Sequence, residues 1–80
     1  MSTDVRVRAD EAKRLKADTA FKQFVSDVRE QQKTVFATSA AHEVERREEA
    51  HAIIRALNAI EIQLDAAISA ERFLDKYKEG

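Results

Sequence analysis

The strongest pattern in the chain is a run of apolar residues in its carboxyl-terminal half. Ala50, Ile53, Leu57, Ile60, Leu64, Ala67, Glu71 and Leu74 follow one another in alternating steps of three and four, and only Glu71 breaks the apolar set. Ile54 and Ile68 widen the stripe on one side. Steps of three and four keep residues on one face of an α-helix, and a repeat sustained over several heptads is the mark of a helix-packing seam. The spacing predicts one long helix over residues 42–77, about 50 Å in length at about 1.5 Å per residue. Phe21, Phe24, Val25, Val28, Gln32, Val35 and Phe36 make a comparable stripe. They predict a second helix over 18–37, roughly 30 Å long.

Between the two stripes lies Phe36-Ala37-Thr38-Ser39-Ala40-Ala41-His42. Thr38 and Ser39 are poor in mid-helix and good as N-caps, because a hydroxyl accepts from a free N–H group. The connection is therefore expected at 38–42. Asp18 or Thr19 would cap the helix entering Ala20-Phe21. The segment before them, residues 3–17, then reads as a separate short helix or arm, with Ser2-Thr3-Asp4 as its start. A short loop folds two helices back antiparallel. The expected fold is all-α: an antiparallel two-helix hairpin with a short N-terminal helix, in one domain spanning 1–80. Its seam residues would be Phe21, Phe24, Val28, Val35, Ile53, Leu57 and Ile60. The long helix would overhang its partner by about one third. The exposed apolar overhang would include Leu64, Ala67, Ile68 and Leu74, with Ala9, Ala12 and Leu15 as thin cover. A hairpin of this size seldom offsets its own chain entropy. The reading is thus an oligomer or a subunit docked on a larger assembly. Ile62, Leu64, Ile68, Phe73, Leu74 and Tyr77 are the expected partner contacts.

Composition agrees with helices and narrows the chemistry. Of the 80 residues, 44% are apolar, but Ala supplies many of these, so bulky side chains are scarce. There is no Pro, and the single Gly stands last. That excludes collagen, glycine-rich phosphate loops and turn-rich β folds. The absence of Cys excludes disulfides, thiolate metal sites and cysteine nucleophiles. No apolar run reaches about 18 residues, and no signal-peptide core occurs. No membrane partner is expected.

Charge is dense but balanced, with 14 basic against 15 acidic residues and a net charge of −1. Residues 1–17 carry an excess of base, and residues 42–80 an excess of acid. The asymmetry could steer one copy's head toward another's tail. It is too small for the phosphate-tracking patch that non-specific nucleic-acid binding requires.

One local pattern has ligand chemistry. Glu48 and His51 form Glu-x-x-His on a helix, the pair that di-iron carboxylate bundles use twice. Here it occurs once, so a dimer would have to supply the second copy, with Glu30 or Asp27 opposite. The competing reading is a solvated charge run, Glu45-Arg46-Arg47-Glu48-Glu49, with pairs along the helix surface. His42 has no positioned Ser or Asp beside it in the sequence. No enzyme and no cofactor are expected.

Asp18-x-x-Phe21, Glu45-x-Arg47-Glu48-x-x-His51 and Arg55-Ala56-Leu57-x-x-Ile60-Glu61 resemble a group of short phage-encoded helical-hairpin proteins found among virion-assembly genes. The resemblance spans roughly residues 9–70. Members often carry Pro after the capping Asp and Trp at the place of His51, and Thr19 and His51 depart from that. The resemblance implies a non-enzymatic structural or accessory virion protein, located in the virion or the host cytoplasm. It would pack against copies of itself or against capsid, connector or portal proteins. Arg47 and Glu48 would bond within the hairpin or to a neighbour. The other readings are a phage regulatory module that inhibits a host enzyme or defence complex, and, more remotely, a di-metal ferritin-like dimer.

Overall fold

The computed structural model describes the backbone of residues 2–79 and the side chains of residues 4–77; Met1 and Gly80, at the ends of the expected domain, lie outside the described residues. Within that span the chain is all-helical, with α1 over Ser2–Ala17, α2 over Thr19–Thr38 and α3 over Val44–Glu79. Ala, Glu, Lys, Arg and Leu dominate α1 and α3, and these are the residues that lose least on entering a helix, whereas α2 is richer in Val, Phe, Thr and Gln.

One residue separates α1 from α2. Asp18 has φ −71° and ψ 118°, which takes it out of the helical region. Its carboxylate Oδ1 accepts from the Phe21 backbone N–H at 2.8 Å, the N-cap bond that an Asp is suited to make. Its own N–H donates back to the Leu15 carbonyl at 3.2 Å, so the link is tied to both helices.

The end of α2 differs from expectation. Ser39 caps α2 at its carboxyl end, its N–H donating to Val35 O. The Thr38 hydroxyl donates to Thr34 O at 2.7 Å, and the Ser39 hydroxyl to Phe36 O at 2.9 Å. Both hydroxyls therefore close α2 and neither caps α3. The carbonyls at a helix end are as short of partners as the N–H groups at a helix start, and a hydroxyl serves either.

The connection 39–43 is held by one of its own side chains, Glu43, and by Arg47 of α3. The carboxylate of Glu43 accepts from the Ala40 N–H at 2.7 Å. Arg47 donates from both terminal nitrogens, to Ala40 O at 2.5 Å and to Ala41 O at 3.2 Å. This two-pronged clamp fixes where α3 starts relative to the end of α2.

From that turn α3 runs back along α2 and then along α1. The order of its partners shows the direction. Arg29 reaches Glu61, Lys16 reaches Asp65, Lys13 reaches Glu71 and Arg6 reaches Asp75. The carboxyl-terminal third of α3 is therefore not an overhang, because α1 lies on it. Ala9 is fully buried and Ala12 is 3% exposed, and their small side chains let α1 approach α3 closely. Leu64, Ile68 and Leu74 are half-buried. The acidic and basic ends of the chain thus meet within one copy.

The molecule remains thin. It measures 57 × 23 × 17 Å with a radius of gyration of 17.3 Å, against about 12 Å for a compact chain of this length. Among the described residues the fully buried apolar side chains are alanines, Ala50 included, and no large one is wholly enclosed.

Candidate interaction surface

Two edges flank the line where α3 meets α1 and α2, and their chemistry differs. Along one edge run the inter-helix ion pairs. Arg6 donates to Asp75 at 2.5 Å, Lys13 to Glu71 at 2.6 Å, and Arg29 to Glu61 at 2.5 Å and to Asn58 at 2.7 Å. Lys16 pairs with Asp65 on the same edge. A groove there is lined by Lys16, Phe21, Val25, Arg29, Leu64 and Asp65. Apolar residues form its floor and charged residues form its walls.

Glu71 sits at the centre of this clasp. It interrupts the apolar stripe, yet it is only 9% exposed and it is the one buried charged residue among those described. Lys13 lies at 2.6 Å, and an Arg6 nitrogen at 3.9 Å from its other oxygen. A buried carboxylate needs such partners, since an unpaired one would cost several kcal/mol. The hydrogen bond to Glu71 raises the Lys13 ammonium above its usual value. At the loop, the Ala40 N–H and then Arg46 hold the Glu43 carboxyl below its usual value.

The other edge carries no inter-helix ion pair among the described residues. Leu15, Gln63, Leu64 and Ala67 line a groove between α1 and α3, with Arg8 and Glu11 at its rim. Leu64 floors both grooves, so the two lie on opposite sides of the packing line. By helical phase at 100° per residue, Ile60 and Leu74 of α3 and Phe24 of α2 fall on this second side. Phe24 is 71% exposed and Ile60 is 48% exposed, although both belong to stripes that predict a closed seam. Leu15 is also exposed. The stripes are broader than the line of contact between two helices, so one flank of each is left open.

A third apolar feature lies on the outer surface of α3. Ile62, Phe73 and Tyr77 are exposed there. The Phe73 and Tyr77 rings are tilted at 50° with centroids 5.0 Å apart, within the range for a favourable aromatic pair.

The expected partner residues therefore divide. Ile62, Phe73 and Tyr77 face outward, whereas Leu64, Ile68 and Leu74 are half-buried beneath or beside α1. Of the expected seam, Phe21, Val28, Val35, Ile53 and Leu57 are half-buried, while Phe24 and Ile60 lie open. Phe36 is exposed as well. The sequence offered Ala9, Ala12 and Leu15 only as thin cover for α3, and the closeness of the α1 docking was not read from it. The available signal was the basic spacing of Arg6, Lys13 and Lys16 against Asp65, Glu71 and Asp75.

Glu48 and His51 are exposed on α3, and no group of three or more His, Asp or Glu side chains able to share a metal occurs among the described residues. Glu30 pairs with Lys33 at 3.2 Å and Asp27 accepts from Gln23 at 2.8 Å. No described helix is long and apolar enough to cross a membrane. No protein-family model matches the chain, and neither a curated protein nor a solved structure matches it.

Proposed function

We propose that this chain is a non-enzymatic helix-packing component, working as an antiparallel helical hairpin whose open apolar side is covered in an assembly. One observation carries this reading. The chain exposes 6270 Å², about 1,400 Å² more than the roughly 4,900 Å² expected of a compact monomer of its mass. A standard interface removes about 800 Å² from each partner, so the excess is large enough to supply one. The exposed surface carries large apolar side chains, among them Phe24, Ile60, Phe73 and Tyr77. Several such side chains open to solvent on so small a chain mark a binding face.

The setting comes from the sequence resemblance: a structural or accessory protein of a phage virion, packing against copies of itself or against capsid, connector or portal proteins. The mechanism is burial of apolar surface, with the ion-paired edge left to solvent.

Two measurements test this. Light scattering over a concentration series should give a mass above the 9.1 kDa of one chain. Mass spectrometry of purified virions should find the protein in many copies. A concentration-independent monomer sinks packing against copies of itself and leaves docking on another protein, and absence from virions sinks the virion setting.

A further inference from the structure

α3 carries a second heptad line that shares Ile53, Ile60, Ala67 and Leu74 with the first and departs from it at Ala56, Gln63, Ala70 and Tyr77. Ile53, Ala56, Ile60, Gln63, Ala67, Ala70, Leu74 and Tyr77 follow strict steps of three and four, and none is charged. At 100° per residue this line runs along the open edge, the side of Leu15 and Phe24, and reaches the outer surface at Tyr77. A helix with two such lines has two packing neighbours. In this chain α1 and α2 occupy the first line. The second has no ion pair across it, and Ala56, Ile60, Gln63, Ala70 and Tyr77 are exposed along it.

The order of sizes along the line identifies the missing neighbour. Laid against a copy of itself running the other way, with the two-fold axis at the level of Asp65, the line is self-complementary. Ala56 meets Leu74, Ile60 meets Ala70, and Gln63 meets Ala67. Ile53 meets Tyr77 at each end. Every large side chain inside the ends faces an alanine, as knobs-into-holes packing requires. A parallel pairing would set Ile60 on Ile60 and Leu74 on Leu74, with gaps at Ala56 and Ala70. Self-complementarity under reversal is what an isologous two-fold interface demands.

Resting on the packing reading above, we propose that the open edge is closed by the same edge of a second copy, with the two α3 helices antiparallel. The partner would bring its own Leu15 and Phe24 to the same side, so two hairpins stack face to face as a four-helix arrangement. The surface excess of about 1,400 Å² per chain exceeds the roughly 800 Å² that a stable dimer needs. Arg8 and Glu11, one of each sign, remain at the rim. Gln63 lies close to the axis, where a single polar residue fixes register.

The absence of Cys permits single-site labelling. A spin label at Glu48→Cys, on the exposed outer side of α3, should report a separation of about 50 Å across the antiparallel pair. A parallel pair would put the two labels roughly 20 Å apart. In parallel, the mass is measured for Ala70→Glu, a substitution at an exposed position of the chain. It should weaken self-association at least roughly tenfold by placing a charge against the partner's Ile60. Ile62→Asp, on the outer face, should leave the mass unchanged. Circular dichroism checks that each variant keeps its helicity. A short label distance, or a dimer that survives Ala70→Glu and yields to Ile62→Asp, overturns the proposed pairing and leaves the packing reading intact. A wild-type chain that stays at the mass of one copy at every concentration overturns the pairing outright, while leaving docking on another protein.

Discussion

Ala9→Leu tests whether α1 is docked as closely on α3 as the buried alanines require. Ala9 has no exposed surface, and Ala12, one turn on, is nearly as enclosed. An isopropyl group added at position 9 has no void to enter, so α1 must lift away from α3. Overpacking of this kind costs typically about 1–3 kcal/mol. Lifting α1 also separates Lys13 from Glu71 and uncovers Leu64 and Ile68. For a domain of this size each kcal/mol lowers Tm by roughly 4–8 °C. The expected loss is therefore at least about 4 °C, read by circular dichroism at one fixed protein concentration. Ala17→Leu, at the exposed end of the same helix, controls for composition and should move Tm little. An Ala9→Leu variant as stable as the parent would refute close docking, and with it the idea that α1 shields the end of α3.

Further outcomes follow from the links and caps. Thr19→Pro should be neutral or stabilising by about 0.4–1 kcal/mol. Asp18 already has the extended ψ of 118° that a residue before proline adopts, and proline suits the first helical position; a loss of Tm would contradict this. Asp18→Ala removes the bond to Phe21 N–H and should cost about 1 kcal/mol in chemical denaturation. The Glu43 carboxyl is held below its ordinary value of 4.5, so its contribution is present above that pH and lost as acid protonates the folded state. The Tm of Glu43→Gln should fall less steeply than the parent's below about pH 4.5, and parallel curves would show that the loop bond is not linked to folding. Lys13 is raised above 10.5, the opposite sign: its contribution holds below that pH and fades as alkali passes its folded value. Lys13→Met should flatten the alkaline limb.

The sequence made the helices legible because their apolar stripes are long and uninterrupted by Pro or Gly. Asp18 was legible as a break because a carboxylate at that spacing has few better uses. What stayed hidden was how closely α1 covers α3, since Ala9, Ala12 and Leu15 read only as thin cover. A docking face made of Ala9 and Ala12 has almost no hydrophobic signal, since small residues act by allowing close approach and contribute little apolar area. Glu71 read as a flaw in the stripe for a related reason. Its partners, Lys13 and Arg6, lie more than fifty residues away in the chain, and no periodicity reports a long-range ion pair. Phe24 and Ile60 read as seam residues because a stripe gives a face and not its limits. Two helices touch along a line narrower than the stripe each carries, and only the packed structure shows which flank is left over.

That leftover flank gives the molecule its polarity. Arg6, Lys13, Lys16 and Arg29 all reach across the same edge. Exposed pairs of this kind contribute little stability each. Their larger effect is on where a neighbour can bind. Covering that edge would strip water from a row of charges already satisfied within the chain, and nothing new would be gained in return. Covering the opposite edge removes only Leu15, Phe24, Ile60 and their alanine neighbours from water. The difference favours association through one side even if the two sides have equal area. Gln63 is the exception on the apolar side, and it permits a decisive perturbation. Gln63→Leu should tighten self-association, because it replaces a polar group near the axis with an apolar one, while the single label separation at Glu48→Cys broadens into several registers. Tighter binding with an unchanged, narrow distance would mean that the alternation of large residues with alanine sets the register by itself. Unchanged binding would mean that Gln63 does not lie in the contact.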